Sequence, residues 1–138
     1  MTACPLCELR DETVLWEDRR CRVVLVGDVE HPGYCRVVWN KHVREMTDLT
    51  KSQRAHYMTV VYAVERTLRS LIQPDKINLA SIGNRVPHLH WHVVPRFEDD
   101  SHFPGSIWSE KRTGVVHPID REMLVRALYE MLGGRRCM

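Results

Sequence analysis

The sequence predicts an α+β fold built from an antiparallel sheet of about five strands, one long helix and a shorter C-terminal helix. Short runs rich in β-branched and aromatic residues, bounded by turn residues, predict the strands. Neighbouring strands that are joined by short turns are expected to be antiparallel. Two stretches with apolar residues at helical spacing predict the helices.

The predicted strands are short and separated by glycine, proline or charged turns. The turn His31-Pro32-Gly33 joins the second and third strands into a hairpin, and Gly83-Asn84-Arg85 joins the last two. The strands are predicted over residues 14–16, 21–26, 34–39, 77–82 and 88–94.

The long helix is predicted over about residues 50–72, where Thr50 and Gln53 have the spacing of a capping box. Asp120 is the predicted N-cap of the last helix, which covers residues 119–134. Residues 97–118 have little periodicity and are predicted to be a surface loop that folds over another part of the molecule.

Length and composition indicate one domain over residues 1–138, with its core within about residues 4–96. Hydrophobic residues make up 43% and charged residues 28%, which excludes a disordered chain. No apolar run reaches the roughly 20 residues of a membrane span, and a net charge of +2 is too weak to indicate nucleic-acid binding. We therefore expect a cytoplasmic protein with a small-molecule ligand, without a nucleic-acid or membrane partner.

Three histidines, His88, His90 and His92, occupy alternate positions with apolar residues between them. Successive side chains of a strand point to opposite faces, so the three imidazoles should line one face. Burying three rings without partners is costly, and the array is therefore interpreted as a functional site. It could chelate a zinc ion that activates water. Alternatively, the middle imidazole could attack phosphorus while its neighbours orient it and protonate the leaving group.

The run of residues 88–94, His-Leu-His-Trp-His-Val-Val, resembles the full signature of the histidine-triad (HIT) family, in which apolar residues separate and follow three histidines. The resemblance covers about residues 4–96. It implies a nucleotidyl hydrolase or transferase that cleaves at the α-phosphate of nucleotide conjugates, such as nucleoside phosphoramidates or dinucleoside polyphosphates, commonly those of AMP. It also implies a homodimer built through the long helix and a sheet edge.

The resemblance implies catalytic roles for the three histidines. His90 would form a covalent nucleotidyl-histidine intermediate, and His92 would contact the phosphate and the bridging atom of the leaving group. His88 would be a flanking histidine that orients the nucleophile, a role that follows from the chemistry of such an array. This chemistry requires no metal at the phosphorus atom.

Substrate-binding roles are implied for three further residues. Asp28 lies where the family binds the ribose hydroxyls, and Asn84 lies where it holds the phosphate. Tyr34 replaces a histidine that supports the nucleophile in many members, and Trp39 replaces a proline. We therefore expect a site with altered substrate choice and rate.

Cys4 and Cys7 form a Cys-x-x-Cys pair in a chain whose five cysteines should be reduced in the cytoplasm. Some bacterial HIT proteins bind zinc through such a pair together with two histidines. The resemblance therefore implies a structural zinc site of Cys4, Cys7, His42 and His88 that attaches the N-terminal segment to the sheet. Free thiols in a mobile terminus are the alternative.

Other aromatic and charged residues have simpler interpretations. Trp91 is predicted to pack in the core beneath the histidines, whereas Phe103 and Trp108 could cover a bound nucleotide or a partner subunit. The histidines predicted to be solvated are His31, His56, His102 and His117. Three basic residues, Lys41, Arg44 and Arg85, are interpreted as ordinary surface charges, with a raised positive potential for phosphate as the alternative.

Two rival functions stay open. A non-catalytic nucleotide-binding regulatory protein would keep the pocket, and the departures at Tyr34, Trp39 and Asn84 support it. A zinc-dependent hydrolase would use His88, His90 and His92 as ligands and lose activity on chelation.

Overall fold

The computed structural model describes residues 4–8 and 11–134 and confirms the α+β architecture. Five antiparallel strands form one sheet in the order β1-β2-β3-β5-β4. The strands are β1 (Thr13–Glu17), β2 (Cys21–Leu25), β3 (Cys35–Trp39), β4 (Lys76–Ala80) and β5 (His90–Arg96). The helices are α1 (Pro5–Glu8), α2 (Lys51–Ile72) and α3 (Arg121–Leu132), with one 3-10 turn at Met46–Asp48.

The long helix α2 begins as the sequence predicts. The hydroxyl of Thr50 accepts a hydrogen bond from the Gln53 N–H at 3.2 Å, and the Gln53 side chain accepts one from the Thr50 N–H at 2.8 Å. Its buried side packs on one face of the sheet, where Val37 and Val93 are fully buried. The opposite face of the sheet is therefore left to the N-terminal segment, the loops and the site.

Strand β5 lies between β3 and β4, so the histidine strand has a neighbour on each side. His90 is directly opposite Val38, and His92 is directly opposite Arg36 on β3 and Ala80 on β4. Residues directly opposite each other share a sheet face. Arg36, His90 and His92 consequently lie on the face that α2 does not cover.

The expectation that His88 belongs to the same strand as His90 and His92 is wrong. Strand β5 begins at His90, and the Leu89 N–H just before it donates to the Val43 carbonyl at 2.8 Å. The Leu89 carbonyl still accepts from the Trp39 N–H at the end of β3 at 3.2 Å, so regular pairing with the sheet stops at this residue. The His88 ring is fully buried beside the N-terminal turn instead of continuing the row of imidazoles.

Residues 97–118 form a loop without helix or strand that folds back on itself. The Arg112 N–H donates to the Ser101 carbonyl at 2.6 Å, and the Val115 N–H donates to the Asp99 carbonyl at 2.7 Å. A Cβ atom at Gly114 would overlap the backbone of residues 100 and 101, so this close approach requires glycine. Within the described ranges, no helix combines the length and apolar character needed to cross a membrane.

Candidate active site

A cavity of about 630 Å³ opens on the sheet face opposite α2. This volume is in the range of small-molecule sites, which is about 300–1,000 Å³. The walls come from the N-terminal turn, strands β3 and β5, the loop after β4 and the loop of residues 97–118. The residues that matter for the chemistry are Leu6, Arg36, Asn84, His90, His92 and Trp108.

The hydrogen bonding of His90 leaves one ring nitrogen free to react. Its Nδ1 lies 2.6 Å from the carbonyl oxygen of His88. A carbonyl can only accept, so Nδ1 carries the proton and Nε2 of the neutral ring keeps its lone pair. Burial, assisted by the Arg36 guanidinium and opposed by the hydrogen bond to His88, lowers the pKa of His90. The neutral, nucleophilic form of the ring is therefore favoured at pH 7.

His92 is held by a tyrosine rather than by a carbonyl. The Tyr34 hydroxyl lies 2.6 Å from Nδ1 of His92, and both side chains are buried. Burial raises the pKa of Tyr34, so the phenol keeps its proton. Burial, His90 and Arg36 together lower the pKa of His92 to about 4. Where the phenol donates to Nδ1, the proton of neutral His92 is on Nε2.

The structure corrects the role expected for Tyr34, which was support of the nucleophile. Its hydroxyl contacts His92 and not His90. The indole of Trp108 approaches the same ring edge-on, at 4.9 Å between ring centroids. Trp108 thus covers the active-site face of its own chain, and it is 54% exposed at the mouth of the cavity.

Asn84 and Asp28 occupy different places relative to the cavity. Asn84 lines it in the loop after β4, next to Gly83, whose φ of 66° is in the left-handed region. Asp28 lies in the loop between β2 and β3, where its Oδ1 accepts from the N–H groups of Glu30 at 2.8 Å and His31 at 3.1 Å. The residues that line the cavity do not include Asp28. The ribose role of Asp28 stays a prediction.

The structure brings the four residues of the expected zinc site together. Nδ1 of His88 lies 3.4 Å from each of the Cys4 and Cys7 sulfurs and 3.2 Å from Nδ1 of His42. Zinc bonds of about 2.0–2.3 Å in a tetrahedron separate ligand atoms by about 3.3–3.8 Å. Nε2 of His88 donates to the Trp39 carbonyl at 2.6 Å, so Nδ1 of the neutral ring is unprotonated. The donor set and its spacing therefore fit a tetrahedral metal ion.

A buried arginine attaches this N-terminal segment to the sheet. Arg22 on β2 donates to the Leu6 carbonyl at 2.6 Å and forms a two-bond ion pair with Glu12 at 2.7 and 2.9 Å. Its remaining nitrogen donates to the Asn40 side chain at 2.8 Å. These contacts hold α1 beside His88 through protein groups alone. Sequence reasoning missed Arg22, because a single arginine in a strand gives no sign of its partners.

Sequence reasoning also missed Arg36, which lines the cavity with His90 and His92. Its guanidinium carbon lies 5.9 Å from the centre of the Tyr34 ring. The available signal was its position two residues after Tyr34, which puts both side chains on one face of the strand predicted over residues 34–39.

Two histidines that were predicted to be solvated are buried. Nε2 of His31 lies 2.9 Å from Nδ1 of His102, and the exposed fractions of the two residues are 3% and 8%. They lie beside the buried ion pair of Arg96 and Asp100, whose atoms approach to 2.9 Å. This packing depends on how the loop after β5 folds, which local sequence patterns do not specify.

The triad does not form a joint metal site among the described residues. The His88 ring points to the cysteines and Trp39, whereas Nδ1 of His90 is engaged by the His88 carbonyl. Groups of closely spaced ligand atoms in the described chain include His88 only with Cys4, Cys7 and His42. The rival zinc-dependent hydrolase with three histidine ligands is therefore wrong for this geometry.

Comparisons with known proteins identify the family and the fold. Residues 9–99 match the family model of the HIT domain. The chain is 32% identical over 79 residues to AP-4-A phosphorylase of Mycobacterium tuberculosis (strain CDC 1551 / Oshkosh). The aligned region covers 53% of this chain and 40% of that protein. It is 30% identical over 73 residues to bis(5'-adenosyl)-triphosphatase of Saccharomyces cerevisiae (strain YJM789). This aligned region covers 49% of this chain and 35% of that protein. The chain thus spans less than half the length of these curated relatives.

A solved structure extends the similarity over most of the fold. The chain is similar to a crystal structure of a histidine triad protein from Bradyrhizobium japonicum, with a TM-score of 0.72 and 27% sequence identity. The superposition covers 88% of this chain and 91% of that chain.

Proposed function

Because the chain belongs to the HIT domain family, we propose that it is a nucleotidyl hydrolase or transferase acting at the α-phosphate of nucleotide conjugates. The observation that carries the proposal is the tautomer of His90, whose Nδ1 donates to the His88 carbonyl and leaves Nε2 as a nucleophile in the cavity. Relatives named AP-4-A phosphorylase and bis(5'-adenosyl)-triphosphatase support a dinucleoside polyphosphate among its substrates.

In the first step, the Nε2 lone pair of His90 attacks the α-phosphorus. The bond from phosphorus to the leaving group breaks, and its electron pair leaves with that group. Nδ1 keeps its proton, so the nucleotidylated ring is an imidazolium that the His88 carbonyl stabilises. Neutral His92, with its proton on Nε2, donates a hydrogen bond to the departing bridging atom.

In the second step, a water or another acceptor attacks the same phosphorus. The phosphorus–nitrogen bond breaks, and its electron pair returns to Nε2 of His90. The proton of the attacking water passes to solvent, and a nucleoside monophosphate is released. Asn84 lines the cavity and would hold a phosphoryl oxygen in both steps.

We also propose that Cys4, Cys7, His42 and His88 bind a structural zinc ion. The spacing of the four ligand atoms and the unprotonated Nδ1 of His88 support it. Zinc at this position would fix the His88 ring and leave the chemistry at phosphorus to the histidines. The backbone carbonyl of His88 would then hold His90 in its reactive orientation. The homodimer and the cytoplasmic location remain proposals from the resemblance and the composition.

The test is release of AMP from diadenosine triphosphate and from AMP-amide, followed by chromatography. The His90→Ala variant should lose at least about 1,000-fold in activity, because the covalent route requires its nitrogen. His56→Asn is the matched control, since His56 pairs with Asp18 in a contact outside the cavity. Mass spectrometry of the acid-sensitive adduct should place the nucleotide on the peptide that contains His90.

A non-catalytic nucleotide-binding protein is the remaining rival. It predicts that AMP binds and that wild type and His90→Ala release equal, negligible amounts of AMP from both conjugates. That outcome would refute the proposed activity.

A further inference from the structure

Two arginines from different elements line the cavity beside the histidine strand. Arg36 is on β3, and Arg85 is in the loop that follows β4. Strand β3 is the direct neighbour of the histidine strand β5, and the loop that carries Arg85 leads from β4 into β5. Both arginines line the cavity that contains His90 and His92. A substrate phosphorus at His90 would therefore share its cavity with two guanidinium groups from different elements.

Arg36 has a buried donor that the protein leaves unused. Its Nε is inaccessible to solvent and has no hydrogen-bond partner within residues 4–8 and 11–134. A buried N–H group without an acceptor is rare and destabilising. Its surroundings are the Tyr34 ring, the opposite His92 and the cavity. A ligand oxygen in the cavity would satisfy this donor once the Arg36 side chain turns Nε toward the cavity.

The charges around the cavity are unbalanced. Arg36 and Arg85 are cationic, and none of the described residues that line the cavity is an aspartate or glutamate. His92, with a pKa lowered to about 4, adds no positive charge at pH 7. Two unopposed guanidinium groups near a low-dielectric wall favour an anionic ligand with more than one charge. Guanidinium groups also bind phosphate oxygens through paired hydrogen bonds.

We propose that Arg36 and Arg85 bind two different phosphoryl groups of one substrate. They thereby make this chain select phosphoanhydride-linked nucleotide conjugates over phosphoramidates. The reaction rests on the proposed function, but the binding step does not. A phosphoramidate carries one phosphoryl group and an uncharged leaving group, so it can use only one of the two arginines. A dinucleoside polyphosphate uses both.

The chemistry of the leaving group also favours phosphoanhydrides over phosphoramidates. A phosphate leaves as a stable anion and needs no proton, and a guanidinium beside it stabilises the charge that develops. An amine must gain a proton as it leaves. Neutral His92 supplies a hydrogen bond but is a poor source of a full proton at pH 7.

The kinetic test compares two substrates in three variants, Arg36→Gln, Arg85→Gln and the double variant. The ratio of kcat/KM for diadenosine triphosphate to that for AMP-amide should fall at least about 10-fold in the double variant, in line with loss of a charge-assisted hydrogen bond. At least one single variant should show part of this fall. Arg126→Gln on α3 removes one positive charge outside the cavity, as each single variant does inside it, and should leave the ratio within about 2-fold of wild type.

The binding test needs no turnover. Calorimetry should show that α,β-methylene-ADP binds wild type at least about 10-fold more tightly than AMP, because a second phosphate meets a second arginine. This preference should fall below about 3-fold in the double variant. Arg85 is exposed, so its single variant keeps the test valid if Arg36→Gln fails to fold.

The outcomes separate this inference from the proposed function. An unchanged substrate ratio in the double variant, or equal binding of AMP and α,β-methylene-ADP to wild type, overturns the arginine pair. Wild type that releases no AMP but keeps an arginine-dependent preference for the methylene diphosphate refutes the reaction and supports the binding site.

Discussion

The hydroxyl of Tyr34 lies 2.6 Å from Nδ1 of His92, and this contact determines which nitrogen of His92 faces the cavity. The pKa of Tyr34 is raised by burial, so the phenol remains a donor at neutral pH. Tyr34 thus positions the histidine that meets the leaving group. The nucleophile His90 is positioned separately, by the His88 carbonyl.

We expect Tyr34→Phe to lower kcat/KM by about 10-fold, because a net hydrogen bond of about 1 kcal/mol is lost and Nδ1 of His92 is left buried without its partner. The ring remains as a packing surface for Arg36. Nitrogen NMR of His92 should show loss of the single tautomer with its proton on Nε2. Tyr34→His, which can still donate, should recover part of the activity. An unchanged tautomer in Tyr34→Phe would contradict this role.

The pKa of His92 gives a second prediction. Burial, His90 and Arg36 lower it to about 4, so NMR titration of the ring should have its midpoint near pH 4 rather than near the ordinary value of about 6.5. Arg36→Gln removes a nearby positive charge and should move the midpoint upward. Arg126→Gln, with the same change in net charge on α3, should not move it.

The same shift affects stability with a defined sign. Between about pH 6.5 and pH 4, the unfolded chain binds a proton at His92 that the folded chain does not bind. The free energy of unfolding should therefore fall as the pH is lowered through this range. Chemical denaturation of His92→Gln should lack this part of the acid dependence. Equal pH dependence in the variant and wild type would contradict the assignment.

Zinc binding is predicted to depend on the cysteine pair. Elemental analysis should find about one zinc ion per chain in wild type and little in Cys4→Ser or Cys7→Ser. The thermal midpoint should fall with the zinc content, since a ligand that binds only the folded state stabilises it. Cys137→Ser, at a position outside the described residues, is the control and should keep the ion. Equal zinc in all four proteins would refute the site.

The buried ion pair of Arg96 and Asp100 is predicted to be a major source of stability in the loop after β5. Two hydrogen bonds of 2.9 and 3.0 Å join the side chains, and the Asp100 carboxylate also accepts from the N–H groups of Phe97, His102 and Phe103. Asp100→Asn leaves Arg96 buried without its counter-charge. We expect a loss of about 3–5 kcal/mol in urea unfolding at pH 7.

Asp99→Asn is the matched control for Asp100→Asn. The Asp99 side chain is 57% exposed, and its replacement should cost less than about 1 kcal/mol. The hydrogen bonds from Arg96 and from backbone N–H groups hold the pKa of Asp100 well below its usual range. The contribution of the Asp100 carboxylate to the free energy of unfolding should therefore be complete above about pH 4 and decline as the pH falls further. Equal losses in both variants would contradict the role of burial.

The sequence was sufficient for features that depend on local periodicity. The alternation around His90 and His92 and the capping box at Thr50 each require only neighbouring residues, and the structure contains both. The fold class follows from the same patterns, because short turns between strands leave antiparallel pairing as the simple arrangement.

The parts that the sequence did not predict depend on register and on distant contacts. Tyr34 reaches His92 because of the offset between β3 and β5, and a local pattern does not specify that offset. Arg36 resembles any arginine in a strand until the cavity beside it is known. The burial of His31 and His102 requires the folded loop after β5.

One residue, His88, belongs to both functional clusters. Its ring nitrogen faces Cys4 and Cys7, and its carbonyl accepts the Nδ1 proton of His90. By thermodynamic linkage, if metal occupancy changes nucleotide affinity through this residue, nucleotide changes metal affinity by the same factor. Zinc retention during dialysis with and without bound nucleotide would then report on the state of the nucleophile without any turnover.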